Sequence, residues 1–519
     1  MGRVPEKCCG ICVIQFSVMK CIIAILGVLF SSTCLLARSV VIKSAHLSQV
    51  QLRYENTTYV FAGICDMDGS TIIVPSNCIL QFKQKACLIN GNLVGNNTRL
   101  SGALENKVGC LLTGTWLVPN VSDLFFNTKY LDDTQILANV SNILSPVIQN
   151  SVRISRKKYN VSITNNNRII LSLPSNTKCV NKAHVTLRGN SCTSYSLVYI
   201  ANASNVSYCG GRLSGDVGHH LYEPNSTSEW GHGISIIGSC DVTIKDVEVE
   251  KCIGDGIYIG GGDELCIGSF DTASKNIIIS NVNCHENRRQ GLSAVSVNGL
   301  SVNSSYFINT GVQEASKPSA GIDIEPNKNQ SVWNVAISGC TFKGNVGMQL
   351  LSTHYDIENE MSNIKNIKVS DCVICGDAEL SGASIKLSDT YMTSLSLRGS
   401  YMPEGGVTLD RCEIDGGGVV LKFYSLVNDR TREPEYMFNN CNISCDEERS
   451  GKDVNGIIST IGYYKSVARI IFNNCSVSIG EHDAQKSLVG DMNNQTIHFY
   501  NCKIKKAGSY ELLNTIIQK

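Results

Sequence analysis

Asp323 and Glu325 stand two residues apart in Gly321-Ile322-Asp323-Ile324-Glu325, an alternation that puts both carboxyls on one face of a strand. Such positions lie about 6.5–7 Å apart. One carboxyl could then protonate a leaving oxygen while the other activates a water, the arrangement of inverting glycoside hydrolysis. A loop begins immediately after them, at Pro326-Asn327.

The same phrase (glycine, apolar, any, apolar) returns at Gly233-Ile234-Ser235-Ile236, Gly256-Ile257-Tyr258-Ile259, Gly291-Leu292-Ser293-Ala294 and Gly347-Met348-Gln349-Leu350. The residues expected to face away from the apolar core are His232 and Ser235, Asp255 and Tyr258, Gln290 and Ser293, then Gln349, with His354 just beyond. Glu229-Trp230 precede the first phrase and Arg288-Arg289 the third. The candidate catalytic residues are therefore Asp323, Glu325, Asp255 and Arg289. The candidate substrate-binding residues are His232, Tyr258, Arg288, Gln290, Glu229, Trp230 and His354. Asp255 belongs two coils before Asp323, about 10 Å away by stacking. Arg288 and Arg289 could hold a uronate carboxylate through bidentate contacts, and Trp230 or Tyr258 could stack on a sugar ring. In a lyase or epimerase, an arginine or histidine would take the proton next to the neutralised uronate. The plain alternative makes Asp323 and Glu325 ordinary solvated residues of an exposed strand. His219-His220 with Asp216 and Glu223, or Asp263-Glu264, offer metal-binding atoms without a spaced ligand set, so neither a metal nor a cofactor is expected.

A second phrase interleaves with the first from about residue 240 onward: apolar, polar, Asn/Asp/Gly, Cys or small apolar, any, apolar. It places Cys340, Cys372, Cys412, Cys441, Cys475 and Cys502 at one phase, with steps of 32, 40, 29, 34 and 27 residues. Both phrases have the period of two that marks a strand burying one face. Short strands, turn residues and returning side-chain types describe an all-β chain folded as a single-stranded right-handed parallel β-helix, a solenoid. The Asn, Asp or Gly before each cysteine suits a bend with left-handed backbone. Side chains stacked about 4.8 Å apart are poorly aimed for disulfides, so the column should be mostly free, buried thiols.

The remaining organisation follows from the amino-terminal half. Residues 132–145 put Ile136, Leu137, Val140, Ile143 and Leu144 on one helical face behind Asp132-Asp133, which reads as a helix capping the coil stack. Residues 39–130 form a small β-rich region and residues 131–519 the β-helix with its capping helix. Residues 1–38 hold an upstream segment and a signal peptide, because Cys21–Ala37 is an apolar run between Lys20 and Arg38. No second apolar stretch of spanning length occurs, so no membrane span is expected once the signal is removed, and the chain should be secreted, periplasmic or at the cell surface. Its 519 residues carry 45 basic and 45 acidic side chains, which excludes the basic footprint of a nucleic-acid binder. At 43% apolar residues and zero net charge it is not a disordered chain either.

Asp132-Asp133-Thr134, the apolar helix, then Val152-Arg153-Ile154 and Tyr159-Asn160-Val161 resemble the opening segment of pectate-lyase-superfamily right-handed β-helices. Ile72 to Trp116 resembles the leader of exported β-helix proteins of gut bacteria. Gly231-His232-Gly233 looks like the Gly-His-Gly element of polygalacturonases, although the Asp255 and Asp323 strands follow it instead of preceding it. The resemblance implies a polysaccharide partner. It leaves two readings open: a glycoside hydrolase or polysaccharide lyase, or a non-catalytic glycan-binding or surface structural protein.

Overall fold

The computed structural model describes residues 38–223, 227–262, 265, 272–353, 363–399, 406–423, 435–446, 456–462, 469–479, 487–489, 496–506 and 509–518. The apolar run Cys21–Ala37 and His354 lie outside them, as do Asp263-Glu264 and Cys266.

The chain is a right-handed parallel β-helix, and each full coil contributes one short strand to each of three sheets. Sheet A holds Ser194–Ala201, Trp230–Ile237, Asp255–Gly260, Gln290–Ala294, Ala320–Ile324 and Leu350–Ser352. Sheet B follows with Ser204–Cys209, Cys240–Lys245, Ser274–Ser280, Val297–Asn303, Val332–Ser338, Ile364–Ser370 and Ala383–Ser388. Sheet C includes Arg212–Ser214, Glu248–Glu250, Asn283–His285, Tyr306–Ile308 and Thr341–Lys343. Every pairing between successive coils of these sheets is parallel and in register, as in Ile234↔Ile257↔Leu292↔Ile322↔Leu350. The last strand, Ser509–Gln518, turns back antiparallel on Thr496–Lys506.

From Asp246 onward the bend from sheet B to sheet C has one conformation among the described residues. Asp246, Asn281, Ser304, Gly339, Asp371, Asp389, Arg411, Asn440, Asn474 and Asn501 all have φ between 49° and 60°. Asn, Asp and Gly recur there because they tolerate left-handed backbone best. The side chains also bond from coil to coil, Asn281 Nδ2 donating to Asp246 Oδ1 at 2.7 Å and Asn501 Nδ2 to Asn474 Oδ1 at 2.8 Å. The residue after each bend points inward and builds a column: Val247, Val282, Ser305, Cys340, Cys372, Thr390, Cys412, Cys441, Cys475, Cys502. Its six cysteines are all free and buried. The 40-residue step between Cys372 and Cys412 is no loop insertion, since the short coil through Ala383–Ser388 puts Thr390 between them.

The single α-helix among the described residues, α1 (Asp133–Asn142), is N-capped by Asp132, whose carboxylate accepts the Gln135 N–H at 2.8 Å while Gln135 reaches back. Ile136, Leu137 and Val140 are fully buried. Before it, the strands from Arg38–Ile42 to Val108–Trp116 also pair in parallel, as a smaller stack of coils. Asn139 ties α1 to that stack, its Oδ1 accepting the Leu112 N–H and its Nδ2 donating to the Cys110 carbonyl.

Candidate active site

Four consecutive strands of sheet A position the candidate residues: β1 (Trp230–Ile237), β2 (Asp255–Gly260), β3 (Gln290–Ala294) and β4 (Ala320–Ile324). Their glycines allow the coils to close up. A Cβ on Gly291 would stand 2.4 Å from the Gly321 carbonyl oxygen, and one on Gly256 2.7 Å from that of Gly291. The series has four members and not five, because Ile322 pairs with Leu350 and so puts Gln349, not Gly347, opposite Gly321. Gln349 is consequently buried and clamped by Asn345, away from the outer face.

The outer face of these strands is not the open groove expected. His232, Ser235, Asp255, Tyr258, Gln290, Ser293 and Asp323 are all buried. A small apolar cluster outside the main core covers part of the sheet: Tyr199, Ile237, Tyr258 and Val295, with Ile169, Trp230 and Leu265 against them. Tyr258 stacks face to face on His232 at 4.8 Å and its hydroxyl donates to the Gly262 carbonyl at 3.1 Å. Tyr258 is therefore a floor under His232, and the partly exposed Trp230, edge-on to both rings, is the aromatic that remains for a sugar.

Arg289 organises the carboxyls. Its guanidinium lies 3.4 Å from Asp255 Oδ1, 3.7 Å from Glu229 Oε2 and 3.9 Å from Glu325 Oε2. Burial works against its charge, but the carboxyls of Asp255, Glu229, Asp323 and Glu325 outweigh that and raise its pKa. With its charge held on in this way it cannot serve as a proton-abstracting base. Arg288 is also spent elsewhere. It donates to the Thr227 carbonyl at 2.9 Å, lies over the Tyr222 ring at 4.8 Å and stands 3.5 Å from Glu314. It fastens the chain leading into β1 and does not face the carboxyls.

Glu325 stands close enough to Asp323 for its charge to act on that carboxyl. Burial and then the Glu325 charge push Asp323 well above the ordinary carboxylate range. Gln290 fixes Asp323, its Nε2 donating to Asp323 Oδ2 at 2.7 Å while its Oε1 accepts the Ala320 N–H at 2.9 Å. Burial likewise raises Asp255 to about 6, against the pull of Arg289. His232 accepts the Asp255 N–H at Nδ1, and burial, helped by Arg289, lowers its pKa to about 3. It is a neutral imidazole with its proton on Nε2.

Several buried atoms of this face have no hydrogen-bond partner in the protein: His232 Nε2, Ser235 Oγ, Asp255 Oδ2, Asp323 Oδ1 and Arg289 Nε. Buried polar atoms left alone cost about 1–3 kcal/mol each. Such a concentration of unsatisfied polar atoms on one face calls for a polar partner, water included. Behind it, Asp216 accepts from Tyr195 at 3.0 Å and holds His220 Nδ1 at 2.8 Å, while the Tyr195 hydroxyl accepts the Ile253 N–H. That network steadies the start of β2 and is closed to a metal; His219 and Glu223 are exposed apart from it. Glu379 was not singled out from the sequence. It is buried at the register of Asp323 two coils on, through Leu351, in a coil that lacks the glycine phrase. Glu248, Glu250 and His285 on sheet C bring ligand atoms within 4.8 Å of one another, but Arg212 already takes Glu250 at 2.7 and 2.8 Å.

No protein-family model matches the chain. It is 26% identical over 235 residues to the Bacillus subtilis (strain 168) uncharacterized protein YclG, covering 44% of this chain and 38% of that protein. It is 31% identical over 187 residues to the SPbeta prophage-derived uncharacterized protein YorA of the same organism, covering 34% and 32%. The chain thus spans about a third of the length of the curated relatives it matches. Among solved structures it is similar to tailspike protein gp49 of Acinetobacter baumannii bacteriophage Fri1, a capsular polysaccharide depolymerase (TM-score 0.40, 14% identity, 76% of this chain and 64% of that one). It is also similar to the A-module of the Azotobacter vinelandii mannuronan C-5 epimerase AlgE4 (TM-score 0.40, 12% identity, 69% and 87%).

Proposed function

We propose that this β-helix is a glycoside hydrolase acting on a polysaccharide, with Asp323 as the acid and Asp255 as the ionised carboxylate. The observation that carries this reading is the convergence of Asp255 and Glu325 on Arg289 beside a buried Asp323 held by Gln290. Environments that drive carboxyl pKa values apart divide acid from base. Asp323 is pushed well above the ordinary carboxylate range and so holds its proton more firmly, whereas Asp255, near 6, has mostly lost its own at neutral pH. Both Asp255 Oδ1 and Glu325 Oε2 touch the same planar guanidinium, which bounds their separation at about 10 Å, within reach of a single glycosidic bond. The neutral His232 offers Nε2–H to a substrate hydroxyl, and Trp230 offers a ring edge.

Elimination from a uronate fits less well, because four carboxyls surround one already neutralised arginine. A sugar uncharged at the cleaved residue is the better substrate. The Cys21–Ala37 run supports an exported protein, and the segment from Asp132 to Val161 supports a place in the pectate-lyase superfamily. The test is a panel of neutral and acidic polysaccharides assayed for new reducing ends and for unsaturated products. Reducing ends without unsaturation, lost in Asp323→Asn, are expected. Unsaturated products would make it a lyase, and binding without cleavage a glycan-binding or structural protein.

A further inference from the structure

Sheet B carries a second concavity, remote from the carboxyls on sheet A. It measures about 360 Å³ and is lined by Asn334, Ala336, Asn366, Lys368, Ser384 and Lys386. That volume falls in the range of small-ligand sites, roughly 300–1,000 Å³. Its floor is made by the register Ser301↔Ala336↔Lys368↔Lys386, where small residues give way to two lysines on adjacent coils. Like charges directly opposite each other on neighbouring strands repel. Neither lysine has an ion-pair partner among the described residues, and Asp389 and Asp410, in the bends that follow Lys386 and the next coil, are taken by Arg411. One wall is an amide ladder, Asn366 Nδ2 donating to Asn334 Oδ1 at 2.9 Å and Asn334 Nδ2 to Asn298 Oδ1 at 2.8 Å. Beside it Trp333 is exposed, with the Lys365 ammonium 5.8 Å from the ring centroid.

We infer that this concavity on sheet B binds an anionic glycan strand, with Lys368 and Lys386 meeting its acidic groups and the asparagine ladder its hydroxyls. Charge complementarity singles out the occupant. The chain as a whole is neutral, so the uncompensated lysine pair is a local feature, and amides with an exposed tryptophan suit sugars better than phosphodiesters stacked on bases. The site contributes nothing to the chemistry on sheet A and would hold the protein on its polymer.

The experiment titrates the full chain and its Lys368→Glu plus Lys386→Glu variant with polygalacturonate, dextran sulfate, neutral dextran and a single-stranded DNA. Binding of polygalacturonate or dextran sulfate is expected, the tighter one identifying carboxylate or sulfate as the recognised group. That binding should weaken about tenfold in the variant and fade as salt is raised. Dextran should not bind. Equal affinity of variant and parent would overturn the inference, as would tighter binding of DNA than of either glycan. Lys368→Gln plus Lys386→Gln provides the same readout should charge reversal disturb folding.

Discussion

His232 accepts the backbone N–H of Asp255 at 3.0 Å through Nδ1, which leaves its ring proton on a buried Nε2 that nothing in the protein accepts. One hydrogen bond thus fixes the tautomer of one site residue and the strand position of another. With a pKa near 3 the ring stays neutral at any working pH. His232→Phe keeps a ring on Tyr258 and removes the donor, so kcat/KM should fall about ten- to a hundredfold. The ratio of parent to variant should stay constant from about pH 5 to 9, because no titration is lost. A ratio that changes through pH 6.5 would mean that His232 works as a charged group.

The pH–rate profile should be bell-shaped. Its acid limb follows ionisation of Asp255 near 6, and its alkaline limb follows loss of the proton held by Asp323. Glu325→Gln removes the like charge that helps raise Asp323, so the alkaline limb should move to lower pH with a large drop in rate, about 10²–10⁴-fold. An alkaline limb that stays in place would separate Asp323 from the proton donor.

Asp255 should also be a stability liability. Folding raises its pKa from 3.8 to about 6, so the folded chain holds a proton that the unfolded chain has released. The penalty is absent below the unfolded value and grows as pH rises through 6. Asp255→Asn should therefore inactivate the protein yet stabilise it by up to about 3 kcal/mol above pH 7, with little effect at pH 4. Denaturant melts of both proteins at the two pH values measure this.

The fold was legible because its signals are periodic. A left-handed bend residue followed by an inward small side chain returns ten times, from Asp246-Val247 to Asn501-Cys502. The residues of the site were also legible, since Asp255, Arg289, Asp323 and Glu325 do converge. Their solvation was not. Alternation says which way a side chain points, but burial here comes from Leu265, Trp230 and the chain around 227–229, whose positions no repeat encodes. The same limit hid the fate of Arg288, whose partners are backbone carbonyls about 60 residues away in sequence for Thr227 and 35 for Ile253. It also produced the two-residue slip at Gly347, where a genuine glycine phrase sits out of register with its neighbours.

The cysteine column makes a last prediction, because its thiols stack without pairing. Each thiol approaches a backbone oxygen, as Cys475 Sγ does Phe438 O at 3.3 Å and Cys502 Sγ does Phe472 O at 3.4 Å. These are weak bonds, and the main role of each thiol is to fill space. Valine already holds the same column position at Val247 and Val282, where it is fully buried. Cys441→Val should then cost less than about 1.5 kcal/mol, as a swap of similar volume. Cys441→Asp should cost several times more, because it forces a charge, or a raised carboxyl, between apolar coils. Alkylation after unfolding under non-reducing conditions should label all six column cysteines, from Cys340 to Cys502. A disulfide between any two of them would show that the coils approach more closely there than stacking at about 4.8 Å permits.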